Sequence, residues 1–314
     1  SLINQNSFAG GTGLMRTMYA GSGVAGTFRV GFIFDWFTSE GFLCDSADVT
    51  EAGTPITCSG ANRDDVASHV GGYFSLSATP LPFLEAFVGL RTYANSNSEG
   101  NPQLLQVLGD TTIGVKGFTP SGLLGPVQVG ADAQLLLLNG TGDVGVSGDA
   151  TSAVFHVNTT LDLRKSGGKG IPFRANLNLG YKVDNSGEAV AAVEEQRATA
   201  FRDGRDRQPI TRIERFGLGI NKVDSFPIGL GVEAPFSFVQ PFVEWSLDVP
   251  VNRQDYECHT NRVSRGDVCL GLTDLSDPQS GAIGFDAVPS RLGFGARVSP
   301  FQAIKGTEGF RGLS

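Results

Sequence analysis

The feature that most constrains this chain is strict two-residue alternation sustained over unusually long windows. Over residues 173–184 the odd positions are Phe173, Ala175, Leu177, Leu179, Tyr181 and Val183, while the even positions are polar or Gly. A period of two marks a strand with two unlike faces. Residues 27–37 repeat the pattern, with Phe28, Val30, Phe32, Phe34 and Trp36 opposite Thr27, Arg29, Gly31 and Asp35. Residues 127–137 and 153–164 do the same, and shorter versions occur at 69–78, 84–91, 105–116, 243–249 and 291–298. Ile33 and Phe87 are exceptions that fall on the polar face. Globular strands average about 5–6 residues, whereas a strand tilted by about 45° needs about 9–11 to cross a bilayer. The long windows therefore point to membrane crossing, which alternation alone does not.

The connections give a second constraint. Short ones (79–83, 118–126, 165–172, 235–238) alternate with long ones (39–67, 95–102, 139–150, 185–209, 252–282). Bacterial outer-membrane barrels have short periplasmic turns, longer external loops and even strand counts. Residues 211–234 keep one parity throughout, so they read as one long bent strand, giving ten in total. Aromatics form two groups. Phe83, Phe118, Phe173, Phe236 and Phe238 lie near the short turns, and Trp36, Phe37, Phe155 and Tyr181 lie towards the long loops. Belts at both ends suit the two interfaces of a bilayer. A soluble sandwich also alternates, but it requires neither such strand length nor such asymmetry.

With these residues in view, the chain resembles Gram-negative outer-membrane β-barrels, in particular OmpA-type transmembrane domains. The resemblance covers about residues 27–301 and rests on pattern. It implies an all-β, transmembrane, antiparallel up-and-down barrel of about ten strands, or twelve if more chain follows. It implies location in the cell outer membrane, contact with lipid and lipopolysaccharide, and further envelope proteins as partners through the external loops or a periplasmic extension. Residues 1–26 are Gly-rich without a strand pattern, and read as a periplasmic linker or a segment tucked into the lumen. Residues 302–314 lack the aromatic-ended closing strand common in such barrels, so the tail is expected to be trimmed or to lead into further sequence.

In this arrangement Phe28, Phe32, Trp36, Phe173, Leu177, Tyr181, Trp245 and Phe294 face lipid. The inward face carries Arg29, Arg91, Lys116, Arg164, Arg174, Lys182, Arg215, Arg291 and Arg297. Against them stand Asp35, Glu85, Asp110, Asp132, Asp162, Asp184, Glu233, Glu244 and Asp248. Balanced charge in a narrow interior is expected to pair across strands, and a one-sign ring favouring a selective pore is not seen. The expected role is thus non-enzymatic: a structural, anchoring or envelope-complex barrel with its lumen closed by salt bridges. A small-solute channel is the second reading, and a rim-site hydrolase built on His69 with Asp64 or Asp65 is the remote third.

A net charge of −8 without a basic block argues against nucleic acid. No cofactor or metal site is expected: the Gly/Asp loop at 139–149 fits turn chemistry better than calcium binding, and Arg265-Gly266-Asp267 is an adhesion-like tripeptide common by chance. The four cysteines form two local pairs, Cys44 with Cys58 and Cys258 with Cys269. Their spacing does not fit zinc sites, so each pair reads as a loop disulfide made in an oxidising compartment, with free surface thiols as the alternative. One helix is expected at 186–201, inside a long loop.

Overall fold

The computed structural model describes residues 4–41, 65–98, 104–139, 149–165, 170–188, 224–236, 238–252, 288 and 290–298. Among these the chain is all-β. Two short strands, β1 (Gln5–Asn6) and β2 (Thr12–Gly13), pair with each other. Ten further strands form a single sheet: β3 (Thr27–Glu40), β4 (Val66–Leu81), β5 (Leu84–Asn97), β6 (Leu104–Phe118), β7 (Val127–Asn139), β8 (Asp149–Asp162), β9 (Arg174–Val183), β10 (Asp224–Glu233), β11 (Val239–Asn252) and β12 (Ser290–Val298). Each pairs antiparallel with its neighbours in the chain, leaving β3 and β12 as the two edges among the described residues. The connections β4–β5, β6–β7, β8–β9 and β10–β11 span 2, 8, 11 and 5 residues; at the other end β3–β4, β9–β10 and β11–β12 are long, at 25, 40 and 37, while β5–β6 and β7–β8 take only 6 and 9.

Several sequence expectations lie outside the described residues. The cysteines are the first: Cys44, Cys58, Cys258 and Cys269 all fall there. The described residues contain no disulfide, so neither expected bridge, Cys44 to Cys58 or Cys258 to Cys269, is supported by the structure. Also outside are Asp64, Arg215, the Gly/Asp loop between 140 and 148, residues 265–267, the helix from 189 onward, the stretch 211–223 and the tail 302–314. Within 186–188 a single turn is present, closed by the Glu188 amide on the Asn185 carbonyl at 3.0 Å.

The two faces of the sheet are opposite in character. On β3, Phe28, Val30, Phe32, Phe34 and Trp36 are between 54 and 73 % exposed. Phe294 on β12 reaches 83 %. On the other face Glu85, Lys116, Asn158, Arg174, Asn176 and Glu233 are buried. A water-soluble core has the reverse arrangement.

The polar face is concave, and residues 4–26 lie against it. That single segment hydrogen-bonds to Ser75 on β4, Glu85 on β5, Thr160 on β8, Asn178 on β9, Glu233 on β10 and Arg297 on β12. Ten strands laid flat would span roughly 43 Å at about 4.8 Å per gap, too wide for one compact hairpin to bridge. The sheet therefore curls into a half-barrel around the segment.

Strand β6 departs from simple alternation. At Gly109 (φ 92°) the pairing with β5 slips by one residue: Arg91 faces Asp110, but Thr92 faces Leu108. The positive φ suits Gly, and the extra residue makes a bulge. Beyond it, positions 105 and 107 sit opposite Asn95 and Tyr93, both buried on the concave face. The apolar parity read along 105–115 therefore does not run through the bulge.

Candidate functional site

The concave face and the segment it holds form the candidate site. Local turns shape the segment. The Gly10 amide donates to the Ser7 carbonyl, the Ser7 amide to Gly11, and the Leu14 amide to Thr17, which leaves Met15 and Arg16 at a hairpin tip. Gly10 adopts φ 101° and lies so close to β5 that a Cβ there would sit 2.9 Å from the Val88 carbonyl oxygen. Leu14 and Tyr19 pack on Phe242 of β11 in a small apolar cluster with Met15 beside it.

Three wall glutamates grip the segment. Glu85 Oε1 accepts from the Thr12 amide at 3.1 Å and from the Thr12 hydroxyl. Glu244 accepts from the Arg16 amide at 3.0 Å and the Thr17 amide at 3.2 Å. Glu233 accepts from the Tyr19 hydroxyl at 2.9 Å and also pairs with Arg174, whose guanidinium lies 3.7 Å from the centre of the Tyr19 ring. Burial, the largest influence, pushes the Tyr19 phenol up to about 12, so it remains a neutral donor to Glu233.

Wall cations take the segment's carbonyls. Lys116 donates to Thr12 at 3.2 Å and Tyr19 at 3.0 Å, and Arg297 donates to Gly13 at 2.6 Å. Asn178 closes both sides of Met18, accepting from its amide and donating to its carbonyl, each at 2.8 Å. The segment's backbone is thus satisfied partly by its own turns and the short β1–β2 pair and partly by wall side chains. Inward glycines make room for it: a Cβ on Gly231 would lie 2.6 Å from Thr17 Oγ1, and one on Gly229 would lie 2.9 Å from Thr17 Cγ2.

The expected charge network is divided among several partners. Glu85 pairs with Lys116 at 2.6 Å, both side chains having no exposure, and with Arg29 at 3.9 Å. Asp35 pairs with His69 at 3.3 Å, and Asp132 with His156 at 3.1 Å. Arg164–Asp162 and Lys182–Asp184, each at 2.6 Å, join residues two apart in the chain at strand ends instead of pairing across strands. Arg291 meets Asp248 at 3.0 Å. Arg91 lies over the Tyr93 ring at 4.2 Å and the Tyr73 ring at 5.3 Å, with Asp110 facing it in register. The salt bridges line the wall, and the chain's own first residues occupy the space they surround.

Both ring nitrogens of His69 are taken, Nδ1 by Asn95 Oδ1 at 2.7 Å and Nε2 by Asp35, while Asp65 accepts from Asn97. Among the described residues no three His, Cys, Asp or Glu side chains converge as metal ligands. On the convex face Phe28, Phe32, Trp36, Leu177, Trp245 and Phe294 are exposed. Phe173 and Tyr181 are half-buried, and Tyr181 packs edge-on against Phe226 at 5.3 Å. In comparisons with known proteins, no family model, no curated protein and no solved structure matches the chain.

Proposed function

We propose that the chain is an integral outer-membrane β-barrel of the OmpA-like kind it resembles, closed around its own N-terminal segment. Its role in this reading is non-enzymatic: it anchors the chain in the membrane and presents the long loops to lipopolysaccharide and envelope partners. The carrying observation is the inverted sheet, with large apolar side chains exposed along the convex face and buried polar groups on the concave one. Such a face is unfavourable in water and suits acyl chains. Ten is an even number, so β3 and β12 run antiparallel, the sense a closing pair in such a barrel requires. In this reading the short turns are periplasmic and the cysteine-bearing connections external, one closed by a disulfide between Cys44 and Cys58, the other by one between Cys258 and Cys269.

A filled interior favours an anchor over an open channel. The test is extraction and gel behaviour. The protein should need detergent, and unheated samples should migrate apart from boiled ones. A monomer that stays dispersed without amphiphile overturns the proposal, and steady open currents in planar bilayers replace the anchoring role with a diffusion channel.

A further inference from the structure

We infer that the ring of side chains just beyond the inner segment's tip is a binding site for a small oxyanion, a phosphate or carboxylate group, reached from the side of the long connections. On β4, β5 and β11 the ring is the first inward position past the residues that grip the segment. On β4, Ser77 and Ser75 hold Asn6, and Tyr73 comes next. On β5, Glu85 holds Thr12, Gly89 lies against Ala9, and Arg91 comes next. On β11, Glu244 holds Arg16 and Thr17, and Ser246 comes next. On β12, Arg297 holds Gly13, and Arg291, paired in register with Ser246, stands furthest along.

Arg16 rises from the segment's tip into this ring. It is exposed, although residues 11–14 and 17–20 around it are buried. Its guanidinium lies 5.5 Å from the Phe8 ring, which stacks at 4.5 Å on Tyr73. Arg91 lies 5.3 Å from the other member of that stack, the Tyr73 ring. Arg16 and Arg91 thus bracket one Phe8–Tyr73 stack where the hairpin ends, with Arg291 further along the rim.

The carboxylates nearby are otherwise engaged. Glu244 accepts the tip's amides, Asp248 pairs with Arg291, and Asp35 pairs with His69. Asp110 faces Arg91 in register, yet among the described residues neither Arg16 nor Arg91 has a carboxylate within ion-pair distance. Two buried polar atoms of the ring, Arg91 Nε and Ser246 Oγ, have no hydrogen-bond partner among the described residues. Buried donors are normally satisfied. Convergent planar cations with unused N–H groups are matched by a bidentate oxyanion. The site needs the curled sheet and its inner segment, and does not depend on lipid around them.

The test is calorimetric titration of the folded full chain in detergent with inorganic pyrophosphate and, separately, with acetate. One saturable site is expected for at least one of them, and which one distinguishes the phosphate source from the carboxylate source. Arg16→Gln and Arg91→Gln should each weaken binding about tenfold or more, the loss expected for one charge-assisted hydrogen bond. Arg164→Gln, at the short-turn end, should bind as wild type does. Arg16 sits on an exposed tip, so its variant remains informative if Arg91→Gln fails to fold. Absence of saturable binding to either probe, an unchanged affinity in Arg16→Gln, or an equal loss in Arg164→Gln overturns the proposal.

Discussion

Removing Glu85 tests how the wall and the inner segment hold one another. Its carboxylate lies 2.6 Å from Lys116 Nζ, with neither side chain exposed, and it also accepts two hydrogen bonds from Thr12. Glu85→Ala leaves the Lys116 ammonium buried with two carbonyls, Thr12 and Tyr19, as partners. Breaking a buried pair by deleting one member costs about 3–5 kcal/mol, because the other charge is left uncompensated, and the two lost Thr12 bonds add about 2 kcal/mol. Glu85→Ala with Lys116→Met removes both charges and forfeits four hydrogen bonds, two from Thr12 to Glu85 and two from Lys116 to the Thr12 and Tyr19 carbonyls, for a cost of about 4 kcal/mol at roughly 1 kcal/mol each. The double variant should therefore be more stable than Glu85→Ala alone by at least about 1 kcal/mol. Urea unfolding in lipid vesicles, followed through Trp36 and Trp245 fluorescence, measures all four proteins of the cycle. Energies that simply add, within about 0.5 kcal/mol, would refute the claim that this pair acts as a buried unit.

Two further outcomes follow from the same geometry. Leu177→Arg, on the convex face of β9, should cost roughly 2–4 kcal/mol in a membrane-folding assay, and a neutral result counts against lipid on that side. Gly231→Val puts a branched side chain where even a Cβ would lie 2.6 Å from Thr17 Oγ1. It should loosen the segment, exposing Arg16 to trypsin and raising conductance in planar bilayers, and unchanged cleavage and current would show that the wall yields instead.

The wall was legible because a period of two is local: Phe28 to Trp36 and Phe173 to Val183 each announce their outer face without help from distant residues. Even the exceptions carried information, since Phe87, out of phase in the sequence, is buried on the concave face against the segment's Gly11. The slip at Gly109 was hidden because apolar residues on both parities of 104–108 mask a change of phase. The inner segment was illegible as an element because side chains of remote strands hold it, not a periodic pattern of its own. Sequence reading offers only a linker or a lumen filler there. Its trace lay in the wall, where Gly31, Gly89, Gly130, Gly229 and Gly231 take inward positions, a sign that another chain segment approaches closely. Asn178 looked like any polar inward residue, and its two bonds to Met18 appear only in three dimensions.

The grip on the inner segment also bears on assembly order. Gly13 is held by Arg297 across 284 positions, and Arg16 by Glu244 across 228. The inner segment thus acquires its full set of contacts only after β12 has arrived, and such long closures are slow. Until then the hairpin serves as a mandrel, a fixed form on which successive ribbons are wound, and a chain lacking it would have to find its curvature unaided.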